Sequence, residues 1–225
     1  MHKKDDEHGP RKSLARNWRV KEFFPDLDDD IHEKLRAYFV ELIHFNGRIN
    51  LISTLSEEEA DIVHFADSIL ASQLILADTT AKEIYDIGTG NGLPGIIMAI
   101  LAPEREFILI DKDARKIEFI KHVAARIGLH NVSVKQSRIE EMPQSTISCC
   151  VSRGFASISK SIVTLRKQCA PGARYYHLKS DSWVSEVVSI PTQVCSFWKP
   201  SLLADYRLPI LGTKFFVVLT ERTDK

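Results

Sequence analysis

This sequence has few cysteines, no net charge and no long apolar run, and each of these features argues against a class of protein. The chain of 225 residues has four cysteines and no Cys-x-x-Cys pair, which argues against zinc ribbons and disulfide-built domains. It has 30 basic and 30 acidic residues, so the zero formal charge argues against a globally cationic nucleic-acid binder. No apolar run approaches the roughly 20 residues of a membrane span. We therefore expect a cytoplasmic protein with no metal site and no membrane segment.

The sequence does contain a glycine-rich turn between an apolar run and a helical run. The apolar run ends at Asp86, and Gly88, Gly90, Gly92 and Pro94 follow it. Glycine is needed where a turn uses positive φ or where bare backbone approaches a ligand, and proline suits a first helical turn. The order predicts a strand, a tight turn and a helix whose first N–H groups face a polar cofactor group.

This turn leaves two cofactor classes open. Read from Gly90, the residues fit the G-x-G-x-x-G pattern of dinucleotide sites, so an NAD-dependent oxidoreductase is one alternative. The carboxylate of Asp86 would repel a pyrophosphate and attract the ammonium and sulfonium groups of S-adenosylmethionine, which has no phosphate. Asp111 follows the next apolar run, about 20 residues further on, where a carboxylate accepts hydrogen bonds from ribose hydroxyls. The two acids favour S-adenosylmethionine.

Strand-like and helix-like segments alternate along residues 81–225. The pattern predicts five strands, at Glu83–Ile87, Glu106–Ile110, Val132–Lys135, Ile147–Ser152 and Arg174–Leu178. It predicts helices at Pro94–Ala102, Arg115–Ile127 and Ser157–Cys169. Such alternation is typical of an α/β fold with a mostly parallel, doubly wound sheet. A closing antiparallel pair is predicted at Val194–Trp198 and Phe215–Leu219, with a loop at Pro200–Gly212.

Polar residues follow the predicted strands at the edge of the sheet where ligands bind. They are Asp86, Asp111, Glu140, Arg153 and Lys179, one for each strand in chain order. Six basic residues and no acid lie between Arg153 and Lys179. Solvated helix faces are one explanation, and the other is a positive rim that favours a phosphate-bearing substrate.

The residues before 81 form two further segments. We expect a flexible basic arm at 1–25, which is either a solvated tail or an RNA-contacting arm, and a helical extension at 26–80 packed on the core. One amphipathic helix is predicted after Asp26–Asp30, and a second begins around Ser56. The second helix carries His64 and Asp67, whose spacing would allow an imidazole–carboxylate pair. Such a pair is either a structural tie or a catalytic diad.

Several motifs together carry a family resemblance. They are the stretch Asp86–Gly95, His64-x-x-Asp67-Ser68, Gln136–Glu140, Ser152–Ala156 and Leu178-Lys179. With these motifs the chain resembles the RsmG (GidB) family, bacterial methyltransferases that act on guanine N7 of 16S ribosomal RNA. The likeness runs from roughly Ile31 to Leu219. It implies a Rossmann-like class I S-adenosylmethionine-dependent methyltransferase with an N-terminal helical extension.

The resemblance also implies a substrate and the roles of particular residues. The acceptor would be nucleotide 527 in the usual rRNA numbering, on the 30S subunit or its precursor. The sequence does not address the oligomeric state, and we take a monomer as the default expectation. The resemblance places cofactor contacts at Gly88, Leu93, Ile139, Glu140 and Arg153, and the glycine turn and strand-end acids described above add Asp86, Gly90 and Asp111. Lys179 and Arg153 would position the RNA or base, and no general base is expected because guanine N7 carries a free lone pair. Methylation of another RNA and a non-catalytic ribosome-assembly protein remain alternatives.

Two departures from the family pattern concern the acceptor side. Gly154 stands where alanine is usual in the family, and Ser180 follows Lys179 where glycine is usual. Neither change removes a charged residue of the expected site. They therefore bear on the base-pocket contacts around Lys179 more than on the cofactor site.

Overall fold

A seven-stranded sheet forms the centre of the structure, a computed structural model that describes residues 17–223. The strands are β1 Glu83–Ile87, β2 Glu106–Asp111, β3 Val132–Gln136, β4 Ile147–Arg153, β5 Cys169–Lys179, β6 Trp198–Arg207 and β7 Lys214–Arg222. Their order is β3-β2-β1-β4-β5-β7-β6. The first five run parallel, and β7 is antiparallel to β5 and β6. The predicted mostly parallel sheet is confirmed.

Helices cover both faces of the sheet. They are α1 Val20–Phe23, α2 Asp29–Ile49, α3 Asp67–Asp78, α4 Gly95–Leu101, α5 Ala114–Arg126, α6 Ile158–Thr164, α7 Trp183–Val188 and α8 Thr192–Cys195. Successive residues of a strand point to opposite faces, so Ile84 belongs to one buried cluster and Tyr85 to the other. The first cluster includes residues of α2 to α5, and the second includes residues of α6. The doubly wound arrangement is therefore confirmed.

The strand order reverses between β1 and β4. From β1 the chain goes to β2 and β3 on one side and then returns to β4 on the other. Ligands of open α/β sheets bind in the crevice outside the carboxyl ends of the strands at such a point. The glycine turn after β1 and the residues after β4 lie at this crevice.

Part of the predicted flexible arm is packed against the core. The Trp18 ring lies 4.8 Å from the Phe39 ring and 5.3 Å from the Phe65 ring. The guanidinium of Arg19 forms ion pairs of 2.8 Å with Glu59 and Asp61. Within the predicted arm, Trp18 and Arg19 thus contact the helical extension. Residues 1–16 of the predicted arm lie outside the described part of the chain.

The second helix of the extension begins later than predicted. A 3-10 turn covers Thr54–Ser56, a π-helix covers Asp61–Ala66, and α3 follows at Asp67. Buried Asn46 shapes this connection, since its Oδ1 accepts hydrogen bonds from the backbone N–H groups of Leu51 and Ile52. These contacts join a side chain of α2 to backbone groups that lie just beyond the end of that helix. Periodicity alone could not reveal them.

The predicted C-terminal strand pair is partly wrong. The region around Val194 is helical, in α8, and the strand β6 occupies most of the predicted loop at Pro200–Gly212. The loop was expected between the two predicted strands, but Pro200 lies in an edge strand, where a missing N–H group is tolerated. The partner strand β7 is at the predicted place.

Residues 17–223 contain neither a candidate membrane span nor a candidate metal site. No helix described there is both long and apolar enough to cross a membrane. No group of three or more His, Cys, Asp or Glu side chains within that range is placed to hold a metal ion. Cys149, Cys150 and Cys169 are buried thiols, and Cys195 is an exposed one.

Candidate cofactor and acceptor site

Two cavities adjoin at the carboxyl ends of the parallel strands. Cavity A, of about 480 Å³, is lined by His64, Asp67, Leu93, Arg153 and Lys179, among others. Cavity B, of about 390 Å³, is lined by Asp111, Ile139, Glu140, Phe155 and Lys160, among others. Both cavities share Gly88, Lys116 and Gly154. A hollow of about 570 Å³ between α2 and the turn before β3 contains no predicted site residue, so we place the site in cavities A and B.

The glycine turn separates these cavities from the sheet. Gly88, Gly90 and Gly92 have φ values of 65°, 59° and 96°, which only glycine adopts without strain. A Cβ atom on Gly88 would lie 2.5 Å from Cδ2 of Phe155, so the ring of Phe155 packs directly on bare backbone. The absence of a side chain at Gly88 therefore allows the ring of Phe155 to lie against the turn.

Asp86 supports this turn from behind. Its Oδ2 accepts hydrogen bonds from the Thr89 hydroxyl, at 2.7 Å, and from the Gly95 N–H group, at 2.9 Å. Burial raises the pKa of Asp86 to about 6, although these two hydrogen bonds oppose that shift. The side chain is 1% exposed and lines neither cavity. The sequence suggested that Asp86 contacts the cofactor cation directly. The geometry favours an indirect role, in which Asp86 supports the turn.

Asp111 joins the glycine turn to the segment after β2. Its Oδ2 accepts a hydrogen bond of 2.9 Å from the Gly90 N–H group, and its Oδ1 accepts one of 2.9 Å from the Asp113 N–H group. The carboxylate lines cavity B, so its remaining lone pairs are available to hydroxyl donors. Ile139 and Glu140 line the same cavity from a 3-10 turn after β3. Three of the predicted cofactor contacts thus lie around cavity B, whereas Gly90, Leu93 and Arg153 line cavity A.

Arg153 is held by an acid from the N-terminal extension. One guanidinium nitrogen lies 3.2 Å from Oδ2 of Asp67, while Oδ1 of Asp67 accepts a hydrogen bond of 2.6 Å from the hydroxyl of Tyr206. Asp67 is 4% exposed, and the network joins α3, β4 and β6. Burial of charge is costly unless it is paired, and this network supplies the pairing.

The predicted pair between His64 and Asp67 does not form. Nε2 of His64 lies 2.9 Å from the hydroxyl of Ser56, and Asp67 bonds to Arg153 and Tyr206 instead. The expectation assumed α-helical spacing, but His64 belongs to a π-helix that ends just before Asp67. Both side chains still line cavity A.

Lys179 is also paired. Its ammonium lies 2.7 Å from Oε2 of Glu186 and donates a hydrogen bond of 2.7 Å to the carbonyl of Ala156. The predicted positive rim is thus partly neutralised at both strand ends. Lys112, Lys116 and Lys160 line cavity B, with no ion pair to another residue in the range 17–223.

Several contacts had no signal in the sequence pattern. The hydroxyl of Tyr38 donates a hydrogen bond of 2.6 Å to the carbonyl of Asn91, and Nδ2 of Asn91 donates one of 3.2 Å to the carbonyl of Leu51. The extension therefore holds the glycine turn directly. Tyr38 lies on the amphipathic helix predicted after Asp26–Asp30, but the partner of its hydroxyl depends on the tertiary fold.

Comparison with known proteins identifies the family. The family model described as rRNA small subunit methyltransferase G, or GidB, matches residues 31–199. A Bdellovibrio bacteriovorus protein named ribosomal RNA small subunit methyltransferase G 3 is 47% identical over 206 residues, covering 91% of this chain and 93% of its own. A Photobacterium profundum protein named ribosomal RNA small subunit methyltransferase G is 34% identical over 187 residues, covering 82% of this chain and 87% of its own.

Solved structures support the fold assignment. A methyltransferase from Aquifex aeolicus, described as S-adenosylmethionine-dependent, superposes with a TM-score of 0.56 at 14% identity, over 76% of this chain and 100% of its own. The O-methyltransferase TomG from Streptomyces achromogenes, solved with S-adenosylmethionine, superposes with a TM-score of 0.55 at 17% identity, over 92% of this chain and 97% of its own. The Rossmann-like methyltransferase fold is confirmed. Together with the sequence relatives, this means that the chain belongs to the rRNA small subunit methyltransferase G (GidB) family.

Proposed function

We propose that this protein transfers a methyl group from S-adenosylmethionine to N7 of a guanine in 16S ribosomal RNA, at nucleotide 527 in the usual numbering. The observation that carries the proposal is the meeting of cavities A and B at Gly88. A nucleoside held in one cavity and a base held in the other would face each other across bare backbone. Family membership and the motif match support the reaction and the substrate.

The residues of cavity B fit the nucleoside part of S-adenosylmethionine. Asp111 offers carboxylate lone pairs to ribose hydroxyls, buried Ile139 offers an apolar surface to a purine, and exposed Glu140 offers an acceptor beside it. Gly88 and Gly90 bring bare backbone to the edge of cavity A, next to the chain that would join ribose to sulfur. Asp86 acts indirectly, because it fixes the turn that these glycines form.

Catalysis in this site requires positioning rather than proton transfer. S-adenosylmethionine supplies a methyl group on a positively charged sulfur, and guanine N7 supplies a lone pair. The task of the protein is to hold the two in line and to exclude water. We infer that Arg153 and Lys179 position the acceptor from cavity A, each oriented by a fixed carboxylate, Asp67 or Glu186. These carboxylates also keep the cations from repelling a positively charged methyl donor.

The test is a methyl-transfer assay with mapped product. Labelled S-adenosylmethionine is incubated with the protein and 30S subunits from a strain that lacks this methylation, and the modified nucleotide is located by primer extension after cleavage at N7-methylguanine. We expect one labelled guanine at nucleotide 527. Binding to 30S particles without transfer would support the assembly-protein alternative, a label at another site would indicate another RNA target, and saturable NADH binding would support an oxidoreductase.

The state of the substrate and of the enzyme is part of the proposal. We propose that a monomer acts on the 30S subunit or its precursor. Parallel assays with naked 16S RNA, precursor particles and mature subunits would identify the substrate, and light scattering would measure the mass of the enzyme.

A further inference from the structure

The hydrogen bonds of Ser56 indicate which ring nitrogen of His64 carries the proton. The Ser56 hydroxyl lies 2.8 Å from the carbonyl oxygen of Ser53 and 2.9 Å from Nε2 of His64. A carbonyl oxygen only accepts, so the hydroxyl proton of Ser56 goes to Ser53. The Ser56 oxygen must then accept from His64, and Nε2 of His64 carries a proton.

The other ring nitrogen of His64 is consequently a free acceptor. Burial lowers the pKa of His64 to about 3, and the charge of Arg153 adds to this effect, so the ring is neutral at pH 7. With its single proton on Nε2, the ring has an unprotonated Nδ1. This atom is buried, and it has no hydrogen-bond partner in the described part of the chain.

A buried acceptor without a partner calls for an explanation. Leaving a buried polar atom unpaired costs about 1–3 kcal/mol. Nδ1 of His32 and Nδ1 of His177 are also buried and unpaired, but neither residue lines cavity A or cavity B. His64 lines cavity A beside Arg153, and it belongs to a π-helix, a rare conformation that is frequent at functional sites. A ligand in cavity A would provide the missing donor.

We propose that Nδ1 of His64 accepts a hydrogen bond from the N1–H or 2-amino group of the target guanine and so selects guanine over adenine. This inference rests on the proposed function, because it takes cavity A as the acceptor site. When N7 faces the methyl donor, the N1–H and 2-amino groups lie on the far side of the purine. Adenine has neither group there and places the N1 lone pair against the acceptor instead.

Two substitutions at His64 separate its two nitrogens. In His64→Gln the amide reaches the position of Nε2, so the donor to Ser56 remains and the acceptor at Nδ1 is lost. In His64→Asn the amide oxygen lies near the position of Nδ1. We expect His64→Gln to lower kcat/KM for the RNA about 10- to 100-fold, the size expected for one lost hydrogen bond to a base. His64→Asn should recover most of this loss.

Folding and cofactor binding are measured on the same variants. The affinity for S-adenosylmethionine, measured by calorimetry, should stay within about twofold of wild type in both, since no predicted nucleoside contact changes. Exposed His130, on the turn before β3, provides a matched control, because His130→Gln should leave kcat/KM unaltered. If both His64 variants lose activity equally while remaining folded, the inference is wrong.

Modified RNA provides a test that a merely structural role would not pass. Reconstituted subunits carry inosine, which lacks only the 2-amino group, or 2-aminopurine, which lacks the N1–H group together with O6, at the target guanine. One of these should lower wild-type kcat/KM about tenfold or more and have little further effect in His64→Gln, because both changes remove the same hydrogen bond. Equal losses in wild type and variant would overturn the inference.

The order of experiments keeps the two proposals distinct. The wild-type enzyme is assayed first, and absence of guanine methylation at that stage refutes the proposed function itself. If guanine is methylated, the His64 variants are compared on that guanine, wherever it lies in the RNA. Equal analogue effects in wild type and His64→Gln then refute only the role of His64.

Discussion

Asp86 is a residue whose effect on the cofactor passes through the backbone. Removing its carboxylate leaves the Thr89 hydroxyl and the Gly95 N–H group without their acceptor. Hydrogen bonds to charged groups contribute about 1.5–3 kcal/mol, so we expect Asp86→Ala to weaken S-adenosylmethionine binding about tenfold or more in calorimetry. Asp86→Asn keeps one acceptor and should lose less. Wild-type affinity in Asp86→Ala would mean that the turn forms without this support.

Lys179 provides the reciprocal prediction. We expect Lys179→Ala to lower RNA methylation about tenfold or more and to leave cofactor affinity near wild type, because its ammonium lines cavity A and not cavity B. Single-turnover rates and calorimetry measure the two effects. A large loss of cofactor affinity would contradict this role.

Glu186 supplies the control for Lys179. Its Oε2 pairs with Lys179 and also accepts a hydrogen bond of 2.8 Å from the Ile158 N–H group. Glu186→Gln keeps an oxygen for that N–H group while removing the charge that Lys179 faces. If Lys179 acts on the RNA, this variant should retain far more activity than Lys179→Ala. Equal losses would indicate that the ion pair matters only for the structure.

At the level of elements, the turn after β1 and the segment after β4 are packed against each other. In Gly88→Ala the new Cβ atom would meet the Phe155 ring and also impose strain at a φ of 65°. Gly172 has a φ of 76° and nothing within 4 Å of such an atom, so Gly172→Ala measures the strain alone. We expect Gly88→Ala to lower Tm more than Gly172→Ala does, and to weaken cofactor binding as well.

A double variant tests the steric part of that prediction. Phe155→Ala removes the ring that the Cβ atom at position 88 would meet. If the contact carries the difference, Gly88→Ala should cost less free energy of unfolding in the Phe155→Ala background than in wild type. The same cost in both backgrounds would assign the whole effect to backbone strain.

Element prediction from the sequence succeeded where the pattern is local. The strands β1 to β4 and the helices α4 and α5 were predicted within a few residues, because each has apolar periodicity and a turn signal of its own. The errors at β6 and the π-helix have a different cause. Pro200 is acceptable only because β6 is an edge strand, and the turn before the π-helix depends on Asn46.

The same limit applies to the site. Glycines and acids at strand ends predicted which residues meet at the cavities, since parallel strands bring their carboxyl ends to one edge. The partners of those residues were not predictable. Arg153 bonds to Asp67, which is 86 positions away, and Tyr206 joins the pair from a strand expected to be a loop.

At the level of the whole molecule, buried histidines should make stability depend on pH. Burial lowers the pKa values of His64 and His177 to about 3, so both are neutral in the folded chain while the unfolded chain binds protons below about pH 6.5. Each then costs about 2 kcal/mol of stability between pH 7 and pH 5. The raised pKa of Asp86 has the opposite effect and adds about 1.5 kcal/mol to the free energy of unfolding between pH 7 and pH 5. We expect a net loss, measurable by urea unfolding at both pH values.

His177 permits a check on the origin of that loss. Its Nε2 lies 3.0 Å from the hydroxyl of buried Thr220, a contact that a glutamine amide can replace. His177→Gln should therefore reduce the difference in stability between pH 7 and pH 5 by about 2 kcal/mol. His130→Gln, which changes an exposed side chain, should keep the wild-type difference. An unaltered difference in His177→Gln would mean that His177 is not the source.

The bonds from Tyr38 to Asn91 and from Asn91 to Leu51 have a practical consequence for protein engineering. A chimaera that transplanted residues 81–225 alone would carry the glycine turn without the side chain and carbonyl that brace it from outside. It would also leave Arg153 without its acid. A chimaeric methyltransferase therefore has to contain the sheet together with α2, α3 and the connection between them. Any exchange of acceptor specificity has to move those helices as well.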